Sequence, residues 1–257
     1  MGIKQTITKF QLPPKYQKYN LIPTTNGVMA TVYLLDNIYV LKLFEKDTLL
    51  DSIENEIELL NSLKDLPTPK VVDRFRIDSF EVVIYTQIKG EIILNPTLQQ
   101  IELLGAFLRD FHKQSQNLQS KNQELFTKDR LKSLIDLTQS DRLLREFNSI
   151  DLSLKRDGVI HGDLFMDNCK FLDSKLSGVF DFSDACMGDF GFDLAVVAVG
   201  CCFDEGVLNR DKLEALFRGY GDRVDIEYIR YALLYYATTR FLGGRDYMEL
   251  LDRLDRL

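Results

Sequence analysis

The residues with the clearest potential for chemistry lie in residues 159–168, which read VIHGDLFMDN. Asp163 and Asn168 follow the pattern H-x-D-x-x-x-x-N, a spacing typical of a catalytic loop for phosphoryl transfer. In such a loop the aspartate accepts the proton of the attacking hydroxyl, and the asparagine oxygen holds Mg²⁺. We prefer Asp163 to Asp167 as the base because only Asp163 occupies the motif position. His161 belongs to the same motif, and we group it with the catalytic residues.

Asp181 adds a second magnesium ligand to this prediction. It follows the apolar segment LSGVF, so we expect a carboxylate at the end of a strand beside the catalytic loop. Phosphoryl transfer depends mainly on positioning and charge neutralisation, so one base and two metal ligands form a sufficient set. The alternative is an Asp-rich turn of an unrelated fold, and the combined spacing argues against it.

Lys42 lies within the apolar segment YVLKLF. Side chains alternate along a strand, so Lys42 faces opposite to Leu41 and Leu43. The next segment has helical periodicity and carries Glu56 on its apolar stripe, three residues after Ile53. Because a buried acid needs a partner, we predict a Lys42–Glu56 pair in which Lys42 binds the α- and β-phosphates of ATP. The alternative is a lysine on a solvated strand face.

The first part of the chain alternates between strand and turn signals around one helical segment. Residues 28–44 and 71–88 are rich in β-branched and aromatic residues and are interrupted by polar turn pairs, whereas residues 47–65 have helical spacing. The loop before the first strand contains Asn26 and Gly27, whose backbone amides we expect to bend over phosphates.

The second part of the chain is mainly helical. Residues 97–118 and 124–149 are predicted helices, three short strands follow at GVI, CKFL and LSGVFDF, and the chain from about Phe190 is predicted to be helical. The whole pattern predicts an α+β fold with two lobes. Residues 1–88 form a small antiparallel-sheet, nucleotide-binding lobe, and residues 89–257 form a larger helical lobe with the catalytic loop and acceptor site. We expect the ligand cleft between the lobes.

Composition excludes several classes of function. The net charge of −7 argues against a nucleic-acid partner held through its phosphates. The sequence has neither an apolar secretory signal nor an uncharged apolar run long enough to span a membrane. Its four cysteines form no metal or CxxC pattern, so we expect a reducing, cytoplasmic location. The oligomeric state is not predicted.

In order along the chain, these motifs resemble the aminoglycoside phosphotransferase and choline kinase superfamily, which has a protein-kinase-like fold. The matching segments are TNGVMATVY, the Lys42 strand, the Glu56 helix, YTQIKG, the LGxxLxxxH helix ending at His112, HGDLFMDN, VFDFSDACMGD and FDLA. The resemblance implies ATP and Mg²⁺ as cofactors, with Asp163 as base and Asn168 and Asp181 as metal ligands. It also implies adenine contacts from the backbone near Thr86 and Ile88, with Tyr85 behind them, and a structural role for Asp193.

A protein substrate is not expected, because the chain between Asp181 and Asp193 is too short for an activation segment and has no A-P-E motif. The sequence is most similar to bacterial homoserine kinases of this fold in HGDLFMDN, LSGVFDFSDAC, the CCF run, ALFRGY and RFLGGR. A homoserine site needs a cation for the carboxylate and an acid for the ammonium group. The candidate cations are Arg240 and Arg245, and the candidate acids are Asp184 and Asp189. Aminoglycoside, choline and sugar kinases, and a pseudokinase without turnover, are the alternatives.

Overall fold

The computed structural model describes residues 6–24, 30–46 and 48–257. The chain divides into two compact units, Met1–Lys89 and Gly90–Leu257, one residue later than the division predicted from the sequence between residues 88 and 89. The first unit contains mainly strands and the second mainly helices, so the predicted α+β class is confirmed. Within the described residues, no helix is both long and apolar enough to cross a bilayer.

The first unit is built on a five-stranded antiparallel sheet. Its elements are β1 (Leu21–Pro23), β2 (Ala30–Leu35), β3 (Tyr39–Phe44), α1 (Leu50–Ser62), β4 (Val71–Ile77) and β5 (Phe80–Thr86). The strand order is β1-β2-β3-β5-β4. The predicted turn between β2 and β3 is present, with Asp36 and Asn37 at φ angles of 48° and 55°, a conformation that short polar residues tolerate.

The two faces of this sheet are covered by different parts of the chain. Leu41 and Leu43 of β3 are fully buried in one cluster with Leu12 and Tyr16 of the N-terminal segment. Lys42 faces the opposite way because strand side chains alternate, and it contacts Glu56 of α1. The N-terminal segment therefore covers one face, and α1 lies on the face that carries Lys42.

The second unit is a helical body with three small two-stranded sheets. Its elements are α2 (Leu98–Ser115), α3 (Lys128–Thr138), α4 (Asp141–Ser149), β6 (Gly158–Ile160), β7 (Cys169–Leu172), β8 (Lys175–Val179), β9 (Cys186–Gly188), α5 (Phe190–Cys201), β10 (Phe203–Asp204), β11 (Val207–Leu208), α6 (Arg210–Tyr220), α7 (Ile226–Leu242) and α8 (Met248–Leu254). The core of this unit includes α5, which is almost entirely buried, as expected for a helix that is apolar on all sides.

Two of these strand pairs bring the motif residues together. β6 pairs with β9 so that Ile160 lies opposite Cys186, and β7 pairs with β8 so that Cys169 lies opposite Val179. The segment 161–168 therefore connects β6 to β7, and the segment 180–185 connects β8 to β9. Because both segments join the same two strand pairs, they run side by side.

The structure differs from the sequence prediction in its shortest elements. The chain after Phe190 is not helical throughout, because β10 and β11 form a hairpin whose turn residues Glu205 and Gly206 have φ angles of 49° and 78°. The third predicted strand, LSGVFDF, ends at Val179, and Asp181 beyond it has a left-handed φ of 65° that interrupts the extended backbone. β1 and β9 were not predicted from the sequence.

Candidate active site

One buried carboxylate fastens the start of the catalytic loop to α5. Asp193 is fully buried, and its two oxygens accept the backbone N–H groups of His161 and Gly162 at 2.8 and 2.7 Å. Nε2 of His112 on α2 lies 2.9 Å from the same carboxylate. A carboxylate removed from water needs donors of this kind. Asp193 therefore links α2, α5 and the loop.

His161 is part of this scaffold. Its side chain is fully buried, with Nε2 at 3.2 Å from the carbonyl oxygen of Phe180 and Nδ1 at 3.2 Å from the backbone N–H of Asp163. A carbonyl only accepts and an amide only donates, which assigns the single ring proton to Nε2. Burial lowers the pKa of His161, which favours this neutral form. Since both nitrogens are committed to backbone, we assign His161 a positioning role in place of the catalytic one expected from the motif.

Asp163 is held by Asn168 across the loop. Nδ2 of Asn168 donates to the main-chain oxygen of Asp163 at 2.7 Å and to its carboxylate Oδ2 at 3.1 Å. The main-chain oxygen can only accept, so the amide nitrogen of Asn168 must face Asp163. The amide oxygen Oδ1 is then turned away from Asp163, and it is the atom that a metal ion would use.

Asp181 lies beside Asn168 because the chain is paired there. The N–H of Phe180 donates to the carbonyl oxygen of Asn168 at 3.0 Å, and Asp181 follows directly. The hydroxyl of Ser183 donates to Oδ1 of Asp181 at 2.9 Å. The structure therefore brings Asp163, Asn168 and Asp181, the three residues of the predicted centre, to one place.

The charges around Asp163 suit a divalent cation. Burial, followed by the charges of Asp184, Asp181 and Asp167, raises the pKa of Asp163 to about 8, and the hydrogen bond from Asn168 opposes this shift. In the described part of the chain, no three His, Cys, Asp or Glu side chains form an all-protein metal site. An amide oxygen and one carboxylate fit Mg²⁺, which commonly completes its shell with water and phosphate oxygens.

The first unit contains the predicted pair of Lys42 and Glu56. Nζ of Lys42 lies 3.2 and 3.3 Å from the two carboxylate oxygens of Glu56, and the two residues are 9% and 3% exposed. Desolvation offsets much of the attraction in a buried ion pair, so such a pair is weak evidence for a purely stabilising role. Its geometric effect is to hold the ammonium group of Lys42 in one position.

The predicted adenine contacts lie at the end of β5. Tyr85 is buried, and the backbone N–H of Thr86 donates to the carbonyl oxygen of Lys70 at 2.9 Å. That N–H is therefore committed within the sheet and is not a donor to a ligand in this structure. Ile88 follows the end of β5. Asn26 and Gly27, the predicted phosphate loop, lie outside the described residues.

Comparison with known proteins identifies the family. The sequence pattern described as "Phosphotransferase enzyme family" matches residues 21–242 of this chain, a range that includes both Lys42 and the catalytic loop. The chain belongs to this phosphotransferase family. It is 30% identical over 226 residues to the homoserine kinase of Methylocella silvestris, which covers 77% of this chain and 68% of that protein. It is 28% identical over 251 residues to the homoserine kinase of Brucella anthropi, which covers 86% of this chain and 77% of that protein.

Solved structures of similar fold agree with this assignment. A choline/ethanolamine kinase family protein from Mesorhizobium loti matches this phosphotransferase with a TM-score of 0.71 at 16% identity, over 96% of this chain and 90% of that one. The GDP complex of aminoglycoside 2′-phosphotransferase-IIIa matches with a TM-score of 0.67 at 20% identity, over 92% and 91%. The predicted kinase-like fold is confirmed, and the protein is a small-molecule kinase.

The two acidic candidates for the acceptor site have different environments in this phosphotransferase. Asp189 is 4% exposed and caps α5, where its carboxylate accepts bonds from the backbone of Gly191 and Lys155 and from the hydroxyl of Tyr228 at 2.7–2.9 Å. These bonds give Asp189 a structural role, and its buried carboxylate does not suit the predicted role of an ammonium ligand. Asp184 is half-buried, and its charge acts on Asp163, so it remains a candidate.

The two arginine candidates also differ. Arg245 is exposed in the loop after α7, whereas Arg240 is half-buried in the last turn of that helix. Within the described residues, the side chain of Arg240 forms no ion pair. Tyr236 lies one turn earlier on the same face of α7, and its hydroxyl donates to the carbonyl oxygen of Gly162 in the catalytic loop. Arg240 is therefore on the side of α7 that meets the loop.

Two residues that support the site were not found from the sequence. Nδ2 of Asn122 donates to the carbonyl oxygens of Ser183 and Ala185 at 3.1 and 2.8 Å, so it holds the backbone on both sides of Asp184. The second residue is Tyr236, whose hydroxyl donates to the carbonyl oxygen of Gly162. Neither residue lies in a recognisable motif, and the position of Tyr236 four residues before Arg240 is the only local signal.

Proposed function

We propose that this kinase transfers the γ-phosphate of ATP to the terminal hydroxyl of homoserine, with Mg²⁺ as cofactor. The hydroxyl oxygen forms the new bond to phosphorus, the bond to the bridging oxygen of ADP breaks, and the hydroxyl proton passes to Asp163. The observation that supports the reaction type is the joint position of Asp163, Asn168 and Asp181 between two strand pairs. The choice of acceptor is supported by the homoserine kinase relatives.

The cofactor residues follow from the chemistry of the side chains. Lys42, fixed by Glu56, would bind the α- and β-phosphates, and the backbone at Ile88 would bind adenine next to Tyr85. Asn26 and Gly27 would contact the phosphates through their amides. Asn168 Oδ1 and the Asp181 carboxylate would hold Mg²⁺, which neutralises phosphate charge when bound.

The acceptor requires recognition of a zwitterion. Its carboxylate needs a cation, and Arg240 fits because it is half-buried, forms no ion pair among the described residues and lies on the face of α7 next to the catalytic loop. Its ammonium group needs an acid, and Asp184 fits because it lies close enough to Asp163 to act on its charge. A choline or sugar acceptor has no carboxylate and would not use Arg240 in this way.

A coupled ADP-release assay tests the acceptor directly. The panel contains homoserine, choline, methylthioribose, several sugars and several aminoglycosides, with Asp163→Asn run in parallel to measure background. We expect homoserine to give the highest kcat/KM. Activity on an aminoglycoside or sugar with none on homoserine would reject the acceptor and retain the kinase. The absence of ADP release with every acceptor would favour a pseudokinase.

A further inference from the structure

The peptide groups around Gly162 are held from three sides. Its N–H donates to Asp193, and its carbonyl oxygen accepts from the hydroxyl of Tyr236. Its φ of 77° is in the left-handed region, and a Cβ at this position would lie 2.1 Å from the ring of Phe126. The backbone immediately before Asp163 therefore has one permitted path, which only glycine can follow.

The peptide plane between Gly162 and Asp163 is fixed at both ends. Tyr236 binds its carbonyl oxygen, and the N–H of Asp163 on the other side of the same plane donates to Nδ1 of His161 at 3.2 Å. The orientation of this plane, together with the φ angle of Asp163, sets the direction of the Cα–Cβ bond of Asp163. The carboxylate of Asp163 is thus aimed by two side chains from opposite ends of one peptide group.

The surroundings of Tyr236 suit a permanent donor. Its ring packs edge-on against Phe165 of the same loop, with centroids 4.7 Å apart. Burial, and then the charge of Asp163, raises the pKa of Tyr236 well above its ordinary value, so the phenol keeps its proton. Arg240 lies one turn later on the same helix face. The tyrosine that contacts the catalytic loop and the arginine proposed to bind the acceptor are therefore on one rigid helix.

We propose that Tyr236 is a positioning residue for phosphoryl transfer. Its hydroxyl holds the 162–163 peptide and thereby keeps the Asp163 carboxylate aligned with the attacking hydroxyl. The proposal depends on the kinase activity and not on which small molecule is the acceptor.

Tyr236→Phe tests this role, with Tyr228→Phe as the control. Tyr228 is on the same helix, and its hydroxyl donates to the carboxylate of Asp189 at 2.9 Å. Both variants lose one phenol hydrogen bond made from α7, but only the bond from Tyr236 reaches the Gly162 peptide. We would measure kcat, KM for ATP, the melting temperature and hydrogen exchange of the peptide covering residues 159–168.

For Tyr236→Phe we expect kcat to fall about tenfold, because small misplacements of reacting groups cost up to about 10²-fold in rate. KM for ATP should change less than about twofold, since neither tyrosine is among the residues assigned to nucleotide binding. Hydrogen exchange should rise in residues 159–168. Tyr228→Phe should keep the parental kcat even if its melting temperature falls equally. Equal losses of kcat in the two variants, or parental kcat and exchange in Tyr236→Phe, would overturn the proposal. The exchange measurement does not need an acceptor, so it separates this proposal from the choice of homoserine.

Discussion

At the residue scale, the site works through the orientation of small polar groups. Asn168 shows this best, because its amide nitrogen donates twice to Asp163 and its amide oxygen is turned away from that residue. In the proposed metal site, Asp181 would supply the charged ligand from a left-handed backbone position. A substitution at either residue should therefore act on metal binding before it acts on folding.

Asp181→Asn should raise the Mg²⁺ concentration for half-maximal activity by roughly tenfold or more, because it removes a full negative charge from a hard-cation site. Asn168→Ala should raise it less, because it removes a neutral ligand. Asparagine at position 181 is preferred to alanine because it tolerates the φ of 65°. The measurement is initial rate against Mg²⁺ at saturating ATP.

Asp173→Asn is the control for the metal variants, since Asp173 is in the turn at the other end of the β7–β8 hairpin and also has a positive φ, 49°. It should titrate like the parent protein. If Asp181→Asn and Asn168→Ala both share the parental Mg²⁺ dependence, the assigned metal ligands are wrong.

Arg240→Ala tests carboxylate recognition. Truncating one partner of a buried charge pair costs about 2–5 kcal/mol, so KM for homoserine should rise about 30-fold or more while KM for ATP is unchanged. Arg245→Ala, in the exposed loop that follows α7, should leave both constants near the parental values. A large effect at Arg245 with none at Arg240 would reverse this assignment.

At the scale of elements, close helix packing holds the second unit together. α2 and α6 meet at two glycines: a Cβ at Gly105 would lie 2.2 Å from the carbonyl oxygen of Leu216, and one at Gly219 would lie 1.9 Å from that of Glu102. This contact explains the glycine in the LGxxLxxxH segment, whose histidine, His112, reaches Asp193 on α5. The helix motif is therefore a packing device that supports the catalytic loop.

Gly219→Ala should destabilise the protein by about 1–3 kcal/mol or more, because the added methyl group must push two helix backbones apart. Urea unfolding measures the change. Gly221→Ala is the comparison: Gly221 has a φ of 91° but nothing within 4 Å of its would-be Cβ, so only backbone strain of about 1 kcal/mol is expected. Equal or smaller destabilisation at Gly219 would contradict the close helix contact.

The elements that could be predicted from the sequence are those with a long periodic signal. The β3 strand was found with the correct facing of Lys42, because Leu41 and Leu43 flank it, and α2 was found from its apolar stripe. β10 and β11 have two residues each and β9 has three, which is too short for any periodicity. These strands form because each one is hydrogen-bonded to a partner strand, and a local sequence pattern does not indicate which segment that partner is.

At the scale of the whole molecule, the two units carry different parts of the proposed chemistry. The first contains Lys42 and Glu56, and the second contains Asp163, Asn168 and Asp181. The motifs proposed to hold the reacting groups could be found from the spacing of their residues. The supporting residues could not, because Asn122 and Tyr236 act on backbone that is 61 and 74 residues away in sequence. For the same reason, Asp189 resembled a ligand in the sequence and is a helix cap in the structure.

The most direct test of the account follows the phosphorus atom itself, by ³¹P NMR of the protein with ATP, Mg²⁺ and homoserine. We expect the γ-phosphate signal to decay as ADP and a phosphate monoester of homoserine appear. In Asp163→Asn the same conversion should be about 10²-fold slower or more, the usual loss when general-base help is removed, while the Kd for ATP is retained. Formation of the monoester by Asp163→Asn at close to the parental rate would contradict the assignment of Asp163 as the base.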